Sequence, residues 1–259
     1  MKKNLLILMV LVLGTTLAFN ACKKTDDVPI DPVNKDATVL FTLNHNVNGE
    51  QLVFDSIQYQ NASGNDYSVA TLKYFVSNIT FHSTNGSSFV IDGEHYVDAA
   101  DPSTLNYSPN VKIPEGEYSS ISFIFGLDTL KNKNGRYLNP PESNMEWPPA
   151  MGQGYHYMKL EGKIDSAGTI KNFQAHTGQS MGNPYFIEVD LPNSGFTAEG
   201  GTFEIMLKMD IGKWWETPNQ IDLNFMTSMM GNQMLQQKLH ENGNDVFSIE
   251  ITPILTITD

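Results

Sequence analysis

The sequence predicts an all-β fold, an antiparallel β-sandwich with a single helix in its C-terminal region. Three observations lead there. Runs of alternating apolar and polar residues, rich in β-branched and aromatic side chains, recur along most of the chain. Asn-Gly and Ser-Gly pairs punctuate them as turns. One stretch near the end keeps helical spacing instead. At 259 residues the chain can bury one large core, so a single sandwich domain is expected over residues 37–259.

Two segments precede that domain. Residues 1–21 read as a lipoprotein signal peptide: Met1-Lys2-Lys3 is a positive start, and Leu5 to Leu13 is apolar but short for a membrane span. FNAC then places small Ala21 directly before Cys22, the one cysteine, with Phe19 where such signals most often carry Leu. A cysteine at the cleavage site supplies the thiol that lipid attachment needs, and an acylated amino terminus anchors a domain to a membrane. With Cys22 used in this way, neither a disulfide nor a thiolate metal site is available. Residues 22–36 form a polar, acidic tether.

The strands follow in order. TVLFTLN sets Val39, Phe41 and Leu43 on one face. ATLKYFVSNITF, YSSISFIFGLD, YHYMKLEG, YFIEVDL and GTFEIMLKMD continue the pattern. In DVFSIEITPILTITD, Phe247, Ile249, Ile251, Leu255 and Ile257 share one parity, while Ser248, Glu250 and Thr252 share the other. The helix is expected from Thr227 to Glu241, with Met230, Met234 and the Leu235/Leu239 pair on its apolar face and Gly243 just past its end. Before it, GKWWETPN reads as a short turn whose Trp214-Trp215 packs the helix onto a sheet.

Charge and missing motifs exclude several functions. The net charge is −13, and loss of Lys2 and Lys3 with the leader makes it two units more negative, which repels a phosphate backbone. Nucleic acid is therefore not an expected partner. The chain has no GxSxG, P-loop, GxGxxG, HExxH or CxxC, so an enzyme is not expected either.

The histidines carry the most chemistry. His45 continues the parity of Val39, Phe41 and Leu43 past the expected end of its strand, and His156 shares parity with Met158 and Leu160, so both are expected to point inward. His176, in FQAHTG, is followed by a Thr177-Gly178 turn able to bring its ring to the same rim. Neutral imidazoles that converge there would make a metal site, each giving one nitrogen to the metal and the other to an outer acceptor. A buried histidine satisfied by a backbone carbonyl is the plain alternative. His82 and His95, beside turns, are expected at the surface. Met226, Met229, Met230 and Met234 carry thioethers, soft ligands for Cu(I), although methionines at helical spacing are ordinarily core filler. A metal-free reading also stands, in which Trp147, Tyr155 and Tyr157 line a groove that stacks a glycan or peptide.

A resemblance weights these options. LNHNVNGEQLVFD, YQNASGNDYSVATLKYFVSNITF, FGLDTLKNKNG, NMEWPPAMGQGYHYMKLEG, FQAHTG and ENGNDVFSI resemble, in that order, the MbnP-like family of periplasmic or surface copper-binding proteins. The tether is similar to the lysine-then-acidic export signal of Bacteroidetes surface lipoproteins. The resemblance implies copper bound through histidine, in some relatives together with a kynurenine that a di-haem, peroxidase-like partner makes from a tryptophan. By position it implies His176, His156 and His45 as ligands and Trp147 as the modified residue, with Met145 and Met151 as soft-ligand neighbours. Many members carry a second tryptophan shortly after the first, where this chain has Pro148-Pro149-Ala150-Met151. The expected function is copper binding, storage or delivery by a lipoprotein held through Cys22 on the outer membrane, at its periplasmic face or the cell surface.

Overall fold

The computed structural model describes residues 35–254, so Cys22, the leader, nearly all of the tether, Leu255 and Ile257 lie outside the described residues. In chain order the strands are β1 (Thr38–Val47), β2 (Glu50–Gln51), β3 (Tyr59–Gln60), β4 (Asp66–Tyr67), β5 (Thr71–Ser83), β6 (Ser88–Asp98) and β7 (Asn106–Tyr107). They continue as β8 (Gly116–Phe125), β9 (His156–Ser166), β10 (Thr169–Gly178), β11 (Ile187–Leu191), β12 (Phe196–Ala198), β13 (Thr202–Asp210) and β14 (Phe247–Ile254). The smaller sheet runs β14-β13-β1-β2, with β7 also on β1. The larger runs β11-β8-β5-β9-β4-β3, with β6 on β5, β10 on β9 and β12 on β8. This is the predicted all-β sandwich. Its ladders are antiparallel except that β1 lies parallel to β13, from Thr38↔Thr202 to Asn46↔Asp210. A parallel pair needs a crossover rather than a hairpin, and the larger sheet supplies it.

Alternation decides what is buried. On β1, Val39, Phe41, Leu43, His45 and Val47 are all buried, so His45 sits within the strand rather than past its end. On β14, Phe247 is buried while Ser248 and Glu250 are exposed. The larger sheet buries both faces. Tyr74 and Met158 belong to the core between the sheets. Their neighbours Phe75 and Tyr157 belong to a second cluster with Leu127, Met145 and Tyr155, beneath the segment that joins β8 to β9. Successive residues of a strand face opposite sides, so this cluster covers the outer face.

The helix is shorter than expected. It runs Gln233–Asn242, because the Asn232 side chain caps it by accepting from Leu235 N at 3.2 Å. Residues Leu223–Ser228 form a 3-10 turn instead, so Met226, Met229 and Met230 precede the helix. Met234, placed on the apolar face by spacing, is exposed. Trp214 and Trp215 sit in a turn, Ile211–Trp215, and pack as predicted: Asn242 of the helix donates to Trp214 O at 2.8 Å, while Trp215 meets Tyr67 and Phe173 edge-on. His82 and His95 are half-buried rather than exposed, the first held by Ser88 and Ser122 and the second stacked on Tyr107. Among the described residues no helix is long and apolar enough to cross a membrane.

Candidate metal centre

A register slip builds the site. Along β9 and β10, His176 pairs with Lys159 and Thr177 with Met158, but Gly178 then pairs with His156 instead of Tyr157. Plain alternation from Met158 and Leu160 would have put His156 in the core between the sheets. The bulge re-aims it, and its ring lies edge-on to His176 with 5.0 Å between centroids. His176 is on the outer face, since its Nε2 donates to Glu161 Oε1 at 2.6 Å beside Gln174.

Trp147 closes the pair from above. Its ring lies 4.6 Å from that of His156, also edge-on, and over Gly178, where a Cβ would come within 2.5 Å of the indole. Only glycine lets the indole approach the strand so closely. The loop that carries these groups is fixed by its own side chains. Asn132 Oδ1 accepts from Tyr155 N at 2.8 Å, Asn132 Nδ2 donates to Tyr157 Oη at 3.1 Å, and Asn134 Oδ1 accepts from Gly154 N at 2.6 Å. Gly154 has φ +82, and a Cβ there would run into Asn132. The asparagine-rich turn of FGLDTLKNKNG thus sets the position of GYHY.

Hydrogen bonding leaves one nitrogen of each imidazole free. His156 Nδ1 donates to Met145 O at 2.8 Å, and its Nε2 has no partner. His176 donates through Nε2 to Glu161, and its Nδ1 has none. Trp147 Nε1 is a third buried polar atom without a partner. His156 is 4% exposed, His176 7% and Trp147 1%. Unpartnered buried polar atoms are uncommon and call for an explanation, a water, an ion or strain. Burial, helped by the charge of Lys159, pulls His156 down to about 3, and burial lowers His176 against the opposing bond from Glu161. Both rings are therefore neutral at pH 7 with a lone pair available, the state a metal requires.

The remaining predicted residues fall as follows. His45 lies on the far side of the larger sheet: its Nε2 is 2.9 Å from the hydroxyl of Tyr74, an inner-face residue, and burial pulls it down to about 4. The sheet itself separates it from His156 and His176, so the expected convergence of three imidazoles is not what forms. Among the described residues, no group of three or more His, Cys, Asp or Glu side chains is placed to hold a metal ion. Met145 is buried in the outer cluster and contributes its carbonyl. Met151 lines a cavity shared with His176. Tyr155 and Tyr157, like Trp147, are 1% exposed, so the stacking groove has no accessible aromatic surface. Glu161, Asn132 and the bulge went unread in the sequence, although Glu161 two residues beyond Lys159 and the Asn-rich turn were visible signals.

A larger concavity, of about 740 Å³, lies elsewhere on the outer face. Several of its polar groups are paired with one another, Lys131 with Asp92, His82 with Ser122 and Asn78 with Asp128, while Glu188 and Asp190 are exposed. The imidazole pair differs in bringing two buried, unpartnered ring nitrogens to one place.

The fold is similar to that of MbnP from Methylosinus trichosporium, at 12% identity and a TM-score of 0.57, over 83% of this chain and 99% of that one. No curated protein matches the chain. Its residues 36–234, which contain the bulge, both imidazoles and Trp147, match the sequence profile of the MbnP family, and the chain belongs to that family.

Proposed function

We propose that this chain is an extracytoplasmic copper-binding protein rather than an enzyme, one that stores or delivers the metal. In this reading a lipid on Cys22 tethers it to the outer membrane, at the periplasmic face or the cell surface. The supporting observation is the pair of facing imidazoles, each with one nitrogen committed as a donor and the other buried without a partner. His156 Nε2 and His176 Nδ1 would hold the copper, while the Met145 carbonyl and the Glu161 carboxylate fix ring orientation and tautomer. Bound copper would supply a redox-capable centre suited to imidazole ligands.

Trp147 has a separate part. An indole N–H has no lone pair to give, so Trp147 as it stands excludes water and fixes His156. In the family resemblance a di-haem, peroxidase-like partner converts such a tryptophan to kynurenine. At 1% exposure Trp147 could not touch that partner, and electrons would have to leave it through the protein.

The test is metal content and intact mass of protein purified without a metal-affinity tag, then titration with Cu(I) and Cu(II). One Cu(II) per chain is expected in the wild type, lost in His156→Ala and His176→Ala. A mass shift mapped to Trp147 would mark kynurenine. Copper affinity unchanged in both histidine variants would end the reading.

A further inference from the structure

Beside the imidazole pair lies a cavity of about 360 Å³ whose wall is built from thioethers. Met151, Met226, Met229 and Met230 line it, together with His176 and Gln174. The four methionines come from two separate segments, the loop after Trp147 and the stretch before the helix, and the fold pins both there. Gln236, fully buried, donates to His176 O at 2.8 Å. Ser180 Oγ donates to Met230 O at 2.9 Å, and Met181 N to Met151 O at 3.4 Å. The side chain of Met151 lies close against Gly231, whose Cβ position is 3.5 Å from the sulfur.

Met226 and Met229 belong to the core, at 0% and 2% exposure, while Met151 and Met230 are half-buried. All four border the same cleft, so side chains that pack the core also line it with sulfur. His176, 93% buried and with Nδ1 unpartnered, borders the same space. No carboxylate lines it, and its polar side chains are one imidazole and one amide. Thioethers are neutral and polarisable. They replace the waters of a soft monovalent ion well and those of Zn(II) or Cu(II) poorly.

We propose that this cavity is a thioether site that admits and holds a soft monovalent cation, Cu(I), immediately beside His176. The identity of the ion rests on the copper reading above, whereas the preference for soft monovalent ions rests on the methionines alone. The site would act as a selectivity filter: the cuprous ion passes along sulfur to the imidazoles, and hydrated divalent ions do not.

The experiment uses the mature chain carrying Cys22→Ser, which removes the competing thiol, with its methionine methyl groups labelled with carbon-13. Ag(I) serves as a redox-inert stand-in for Cu(I), with Zn(II) as the hard control, and Met→Leu variants assign the signals. Ag(I) should shift the methyls of Met151, Met226, Met229 and Met230, leaving that of exposed Met234 in place, and Zn(II) should shift none of the four. The shifts should persist in His156→Ala. Met226→Leu/Met229→Leu/Met230→Leu keeps side-chain volume nearly constant. It should weaken Cu(I) binding at least tenfold and leave Cu(II) within twofold. Four unmoved methyls, or equal weakening of both oxidation states, would overturn the proposal. Responsive methyls beside copper affinity that ignores His156→Ala and His176→Ala would keep the thioether site and remove the imidazole reading.

Discussion

His45 offers a direct check on how burial governs the histidines of this fold. It is 2% exposed, its charged form is suppressed by burial so that it titrates at about 4, and the group facing it is the Tyr74 hydroxyl. An unfolded chain binds that proton near pH 6.5. Between those values the unfolded state holds more protons than the folded one, so stability is full above pH 6.5 and falls as pH drops towards 4. At pH 4.5 the loss from this one ring is about 2–3 kcal/mol, a sizeable share of the 5–15 kcal/mol typical of a domain. His45→Gln removes the titration and keeps a partner for Tyr74. Metal-free wild type and variant would be unfolded in guanidinium at pH 7.5, 6 and 4.5, followed by tryptophan fluorescence. His156 and His176, also lowered by burial, titrate in both proteins and cancel in the difference. The wild type should lose about 2–3 kcal/mol more than the variant on acidification. Parallel stability curves would refute the idea that His45 is buried and neutral.

Other substitutions separate the parts of the site. Glu161→Gln should leave the fold intact and weaken copper binding about 10- to 100-fold, because the outer acceptor that orients His176 loses its charge. Gly178→Ala places a Cβ against the Trp147 ring and should cost about 1–3 kcal/mol of stability, with a change in tryptophan emission. Asn132→Ala removes the bonds to Tyr155 N and Tyr157 Oη and leaves both groups buried, lowering stability by about 2–3 kcal/mol in thermal unfolding. Cys22→Ser should move the protein from the membrane to the soluble fraction of fractionated cells, the outcome that tests lipid anchoring.

Much of the architecture was legible where a period of two survives, as in β1, whose Val39, Phe41, Leu43 and His45 are buried as their parity requires. Two things were not. The helix was drawn too long because Met230 falls on helical spacing with Met234, whereas Asn232 supplies a cap that starts the helix at Gln233. His156 was assigned to the wrong face because a bulge adds one residue to one strand and inverts parity beyond it, and no residue type announces that insertion. The same slip explains why His45, which points inward as expected, is not a neighbour of His156, which was expected to point inward too. FQAHTG and GYHYMKLEG pointed to His176 and His156, although only pairing across strands could show that the two rings meet.

The position of the pair on the sheet also explains why structure and chemistry are hard to separate here. Among the described residues β10 is hydrogen-bonded as a strand only to β9, so its other edge needs a cover. The methionine segment and Gln236 provide it, with Gln236 donating to His176 O and accepting from Gly178 N at 3.4 Å. The residues that satisfy the edge therefore also wall the cavity beside His176, and a disruptive change in the cover would lower stability and metal binding together. This is why discriminating tests must hold volume and backbone bonding constant. Met→Leu changes the softness of a wall and Glu161→Gln changes the charge behind His176, while both leave the edge of β10 covered.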